Sequence, residues 1–245
     1  MSSIKEYMFD IRYEEMRQWI CEELNDDEAD EDNPDWAELE EEWHNMQASN
    51  EEPAEFFDWY KRHAHSDIHQ TFHLQISKLK DLLHIALPDF NEETFYKMTY
   101  AYAVTLMESF LADTVRSLII TDEKYFLNAI NKVDGIKACK FTISQIAKNK
   151  DGAKGFAISE LSKLMYHNIE KVMAVLKAIL GRDMNTDISK VCAITSLRHD
   201  IVHRDGKKTD GQLIMVDKEI AEETILHIEE FVNSIAEQIY APKNA

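Results

Sequence analysis

Arg198, His199 and His203 stand in the stretch SLRHDIVHRDGKKTDG, residues 196–211, of a chain whose formal net charge is −19. An imidazole can take up or release a proton near neutral pH, and a guanidinium can hold phosphate oxygens through paired N–H donors. One of each is a sufficient kit for cleaving RNA without a metal. The sugar 2′-hydroxyl supplies the nucleophile, and the pentavalent phosphate needs only charge stabilisation and proton transfer. His199 and His203 are four residues apart and share a helical face, with Arg198 about 100° round from His199 and long enough to reach the same patch. Asp205-Gly206 is a turn signal, so the helix stops just after the motif. Arg204, Lys207 and Lys208 follow as candidate substrate-binding cations, the two lysines on a mobile loop. A plainer reading uses the same residues: cations at a helix C-terminus suit the backbone dipole and need do no chemistry.

The elements that must position these groups are helical. Residues 185–203 read as a helix with Thr186 or Asp187 as N-cap. QLIMV, 212–216, reads as a short strand or extended leg, and 217–239 as a last helix with Ile220, Thr224, Ile228, Phe231 and Ile235 facing inward. Upstream, 91–119 is the strongest helical signal. Phe95, Met98, Tyr102, Leu106 and Phe110 trace one face and Val104, Leu111, Val115 and Leu118 another, which predicts a central helix apolar over most of its girth. A shorter helix is expected near 124–133, a loop over NKDGAKG (149–155), and one long helix over 156–180 ended by Gly181. Before these come a helix over 7–24, a mobile charged linker over 25–35, and two helices opened by Pro34 and Pro53, the second running to about Ala86 and stopped by Pro88. Only 6 Gly and 4 Pro punctuate 245 residues, and there is no internal repeat. The expectation is an all-α fold: an acidic N-terminal helical extension, 1–60, and a helical bundle, 61–245, with its last four long helices as the core.

Charge is unevenly spread. Residues 22–60 hold 17 Asp or Glu and no Lys or Arg, so everything outside them carries only −2. Residues 137–218 hold 15 basic against 9 acidic side chains, and that is where phosphate could be held. The acidic front is either a solvated face or an internal mimic of nucleic-acid charge that covers the site. No stretch resembles a signal peptide or a membrane span, and three scattered Cys make neither a metal pair nor a disulfide framework. A cytoplasmic location is therefore expected.

The sequence RHDIVHRDG resembles the signature of the HEPN superfamily: Arg, a polar residue, then His four places beyond it, at the end of a helix in an all-α bundle. Here these are Arg198, His199 and His203, and the resemblance spans roughly residues 90–240. It implies a metal-independent RNA endonuclease working as a homodimer, with two motifs facing each other. Arg198 would hold the phosphate, His203 would do general acid/base work, and His199 would assist. Ile194, Leu197 or Ile201 would then touch the partner copy. Many members are toxins or antiviral defence effectors, which implies an antitoxin or defence-system partner protein, and some have lost catalysis. A Tyr two places past the motif His, found in members paired with a nucleotidyltransferase antitoxin, is replaced by Asp205, so control through such a Tyr is not expected.

Two further groups stand out. Glu108 lies on the Val104–Leu111–Val115 face and needs a partner, through either a structural salt bridge or, as the resemblance suggests, a contact that fixes Arg198. His65, His69 and His73 step along one face at four-residue intervals. Two such His could bind a divalent cation, but no His-Glu-x-x-His pattern accompanies them, so they read as a polar face or a pH-sensitive contact with the acidic front. Gly152 and Gly155 do not form a phosphate loop, because no Lys-Ser/Thr pair follows. No cofactor and no metal is expected. The sequence reads as an HEPN-like ribonuclease, with a non-catalytic helical adaptor as the alternative.

Overall fold

The computed structural model describes residues 13–14, 16–21, 23–24, 26, 29–31, 33–37, 39–40, 43, 59–60, 65–85, 88–204, 206–208 and 210–240. The chain divides into two compact units, 1–56 and 57–245.

In the first unit, the described helical residues of 13–24 place Met16, Ile20 and Cys21 against Ala29, Trp36 and Trp43, with Trp19, Leu24 and Leu39 beside them. The described residues of the charged stretch after this helix pack and hydrogen-bond, where a loose linker was expected. Ala29 is buried in it, Tyr13 donates to Glu31 Oε1 at 2.7 Å, and the Asn33 side chain accepts from Asp35 N at 3.0 Å. Three indoles and an Ile outweigh the local charge, because apolar area removed from water is worth about 25 cal/mol per Å². Residues 7–12 and the Pro53 start lie outside the described residues.

The second unit is all-α among the described residues. Besides helical residues 59–60, these form α1 (His65–Leu82), α2 (Asp89–Thr121), α3 (Glu123–Lys132), α4 (Asp134–Lys137), α5 (Ile143–Lys148), α6 (Gly152–Ser162), α7 (Ile169–Leu180), α8 (Ser189–His203) and α9 (Lys218–Tyr240). The 33-residue α2 spans about 50 Å and touches α1, α3, α6, α7, α8 and α9, so it is the central rod. Its Val104, Leu111, Val115 and Leu118 are fully buried, as the sequence predicts, but the other face behaves differently along its length. Phe110 is buried, whereas Met98 and Tyr102 are 66% and 48% exposed. The rod is sheathed on all sides only in its C-terminal half, where α3 and α6 cover it.

Other boundaries shift for local reasons. Helix α1 ends at Leu82 in a tight turn, with Leu83 N donating to Lys80 O, before Pro88 can act. The stretch 156–180 is two helices, because the Asn168 side chain accepts from Lys171 N and starts α7 afresh, while Tyr166 turns back to Leu161 O. Most of NKDGAKG is helix as well: α6 begins at Gly152, which leaves only 149–151 as connection. Gly181 ends α7 in the left-handed region, φ 68°, as its type requires. Asp122 closes α2 with its backbone and opens α3 with its side chain, which accepts from Lys124 N at 2.8 Å. Tyr60, almost wholly buried, donates to Asp113 Oδ1 on α2 at 2.6 Å. No helix among the described residues is long and apolar enough to cross a membrane.

Candidate active site

Helix α8 carries the motif at its C-terminal end. Val191, Ile194 and Thr195 face the bundle and fix its roll, which turns residues 199 and 203 outward. Of the two expected N-caps, Asp187 makes the capping bond, one residue ahead of the helix start, and Thr186 does not. Ile188 occupies the cap position without a side-chain bond. Asp187 accepts instead from Ser189 N, which holds its carboxyl below the usual range, and Thr186 pairs with Ser234 on α9. Tyr100 on α2 donates to the Ile194 carbonyl at 3.1 Å, and burial raises its phenol well above the usual range. This bond pins the middle of α8 to the central rod. Ile194 is thereby a core residue of its own bundle and not a surface contact, while Leu197 and Ile201 are half-buried and Val202 is exposed.

At the helix end, Arg204 N donates to Asp200 O and Lys207 N to Arg204 O. Gly206 takes φ 69°, and Ile214 N returns to Gly206 O at 2.8 Å. Lys207 bridges Leu213 in antiparallel fashion, and Lys208 N donates to Gln212 O. The expected mobile loop is thus a closed, hairpin-like turn, anchored by buried Ile214 and Val216 and presenting Lys207 and Lys208 to solvent. QLIMV is the extended leg of that turn. Asp205 lies outside the described residues.

The structure brings His199 and His203 together. The imidazoles of His199 and His203 are exposed, with ring centres 4.9 Å apart. Arg198 is half-buried. Its Nε is fully buried and has no hydrogen-bond partner among the described residues. A buried N–H left unpaired costs about 1–3 kcal/mol, so such a donor calls for a ligand or a reason. Arg204 is tied to Asp200 at 3.1 Å, which makes it a weaker substrate cation than the sequence suggests.

Glu108 is not brought to Arg198. Its carboxylate faces His167, at 3.7 Å from Nδ1, and its Oε1 lacks a hydrogen bond. The Tyr100–Ile194 bond lies about 12 Å up the rod from Glu108, and the motif end of α8 runs further away still, toward Lys97. The structural reading of Glu108 therefore stands, with His167 as its partner. Lys97 is the residue that sequence reasoning missed. A Cβ placed on Gly206 would lie 2.9 Å from Lys97 Nζ, so this cation sits at the exit of the motif, paired with Glu93 at 2.6 Å. Nothing local in the sequence connects position 97 to position 206. His69 and His73 do meet, against Asn233 on α9 and away from α8.

No family model, no curated protein and no solved structure matches this chain.

Proposed function

We propose that the chain is a cytoplasmic, metal-independent endoribonuclease of HEPN type, a homodimer serving as a toxin or antiviral defence effector. The observation that carries this reading is the pair of exposed imidazoles of His199 and His203 at one helix end, with ring centres 4.9 Å apart, next to Arg198 in the chain. A phosphodiester held by the terminal nitrogens of Arg198 would be presented to the two imidazoles. His203 exchanges protons with the 2′-hydroxyl or the leaving oxygen, and His199, in ring contact with it, assists. Lys207 and Lys208, exposed on the closed turn, meet flanking phosphates. The decisive experiment incubates labelled RNA with the protein in EDTA, beside an Arg198→Ala, His203→Ala double variant. Wild type should cleave, leaving 2′,3′-cyclic phosphate ends, and a 2′-deoxy substrate should be inert. Cleavage abolished by EDTA and restored by Mg²⁺ would exclude the mechanism.

A second reading, a non-catalytic helical adaptor, has its own support. Met98, Tyr102, Val202, Leu213 and Met215, on the elements that carry or flank the motif, are all exposed. Apolar side chains in such numbers suit a protein partner. Identical, null cleavage by wild type and the double variant would favour this adaptor.

A further inference from the structure

We propose that His69 Nε2, His73 Nε2 and Asn233 Oδ1 form a binding site for a first-row divalent transition-metal ion, clasping α1 to α9. The two imidazole nitrogens are 3.0 Å apart, and each lies 2.8 Å from the Asn233 carboxamide oxygen. The ring centres are 4.5 Å apart, so the rings lean together at their Nε2 ends.

Protons cannot satisfy this triangle. One hydrogen shared in a three-centre bond can serve two of the contacts, but each Nε2 carries at most one, and the remaining contact is left without any. If both carry one and aim it at Asn233, the two hydrogens crowd to about 1.9 Å from each other, given the heavy-atom spacing. If only one carries it, a bare nitrogen faces a bare oxygen. Turning the amide so that its NH₂ faces the rings supplies two hydrogens but leaves two nitrogen lone pairs pointing at each other.

A cation satisfies all three at once. A point about 2.1 Å from each atom, the ordinary metal–imidazole distance, lies about 1.3 Å out of their plane. Adjacent ligands at that distance stand about 3.0 Å apart around an octahedral ion, which is the spacing observed. Imidazole nitrogens select zinc, cobalt, nickel or iron over magnesium or calcium. All three residues are half-buried, which leaves room on the open side for water to complete the shell. The inner side is apolar: Phe110 lies 6.1 Å from the His69 ring and Phe72 lies 5.5 Å from the His73 ring.

The role of the ion is structural. His73 and Asn233 are 160 residues apart, on the first and last long helices of the second unit. Two turns along α1 and one turn back along α9, Lys80 pairs with Glu229, so the same two helices are pinned at a second point. The site is remote from the motif. Thr186 and Lys190, at the start of α8, meet Ser234 and His227, and His203 lies about 20 Å away at the other end of that helix. Because the third donor is neither His, Cys, Asp nor Glu, the chain presents no group of three such residues among those described.

The full chain, stripped with EDTA and desalted, is titrated with Zn²⁺ and separately with Co²⁺. The midpoint of thermal unfolding should rise with metal and fall back with EDTA, and Co²⁺ should give a ligand-field absorption band. His73→Gln and His69→Gln should each weaken binding at least tenfold, the smallest effect seen even for outer-shell ligands. Asn233→Asp, which adds a negative charge, should tighten it. Each variant's metal-free midpoint reports its folding separately. A wild-type midpoint unmoved by either metal, or a rise equally large in His73→Gln, would overturn the site and leave a proton-sharing cluster. RNA cleavage in EDTA is a separate readout, so either proposal can fail alone.

Discussion

His203 is exposed at the last residue of α8, so replacing it tests chemistry apart from folding. His203→Ala should lower RNA turnover by about a hundred- to ten-thousand-fold, the contribution of a positioned acid/base group, while the circular dichroism melt stays within about 1 °C of wild type. A variant that melts early would show the imidazole to be structural. Asp113 offers a second residue-scale test. Burial raises its carboxyl above the usual 3.8, against the Tyr60 hydrogen bond and the Arg116 charge, which lower it. A carboxyl raised on folding holds its proton more tightly in the folded chain. Its stabilising contribution is complete below 3.8 and is lost as pH climbs through the raised value. Asp113→Asn keeps an acceptor for Tyr60 without the buried charge. Urea denaturation at pH 7 should find it at least as stable as wild type, with less gain on acidification. A clear loss at pH 7 would mean that the Arg116 attraction outweighs burial.

The element that matters most for the site is the exit of α8. Among the described residues, four backbone hydrogen bonds and one bridge close 204–214, and the closure depends on Gly206 at φ 69°. An L side chain there is strained by roughly 1–2 kcal/mol, and its Cβ would press on Lys97 Nζ at 2.9 Å, a flexible tip that can yield. Gly206→Ala should therefore lower the unfolding midpoint by about 2–8 °C in a domain of this size. It should also reduce RNA affinity, because Lys207 and Lys208 lose their fixed placement. An unchanged midpoint would mean that the turn relaxes freely and does not hold the lysines.

At the scale of the whole molecule the question is how one helix end could flank a phosphate. In-line displacement needs a group to take a proton on one side and another to return one on the opposite side. A single α8 presents its imidazoles together, 4.9 Å apart, on the same side. Two copies about a two-fold axis would supply both sides. The exposed Val202, with Met98 and Tyr102 on α2, offers an apolar surface for that contact, in place of the buried Ile194. Mixing the inactive variants Arg198→Ala and His203→Ala should restore part of the activity if the roles are divided between subunits. A wild-type monomer fully active at assay concentration, measured by light scattering, would refute the composite site.

The sequence by itself determined the helical class, the central place of α2, the Gly181 stop and the shared face of His199 and His203. Each follows from periodicity or capping within about one or two dozen residues, where backbone geometry alone fixes which side chains share a face. It did not determine what stands opposite those faces. That Asp200 occupies Arg204, that Glu108 meets His167 and not Arg198, that Lys97 guards Gly206, and that His69 and His73 converge on Asn233 all join positions that are distant in the chain or set by rotamer choice. The break at 163–168 was hidden for a related reason: the apolar pattern runs on through it, and only the Asn168 cap and the turn of Tyr166 back onto Leu161 favour two helices over one. Periodicity records which face is buried, whereas packing decides what it is buried against. Only the tertiary structure holds that second kind of information.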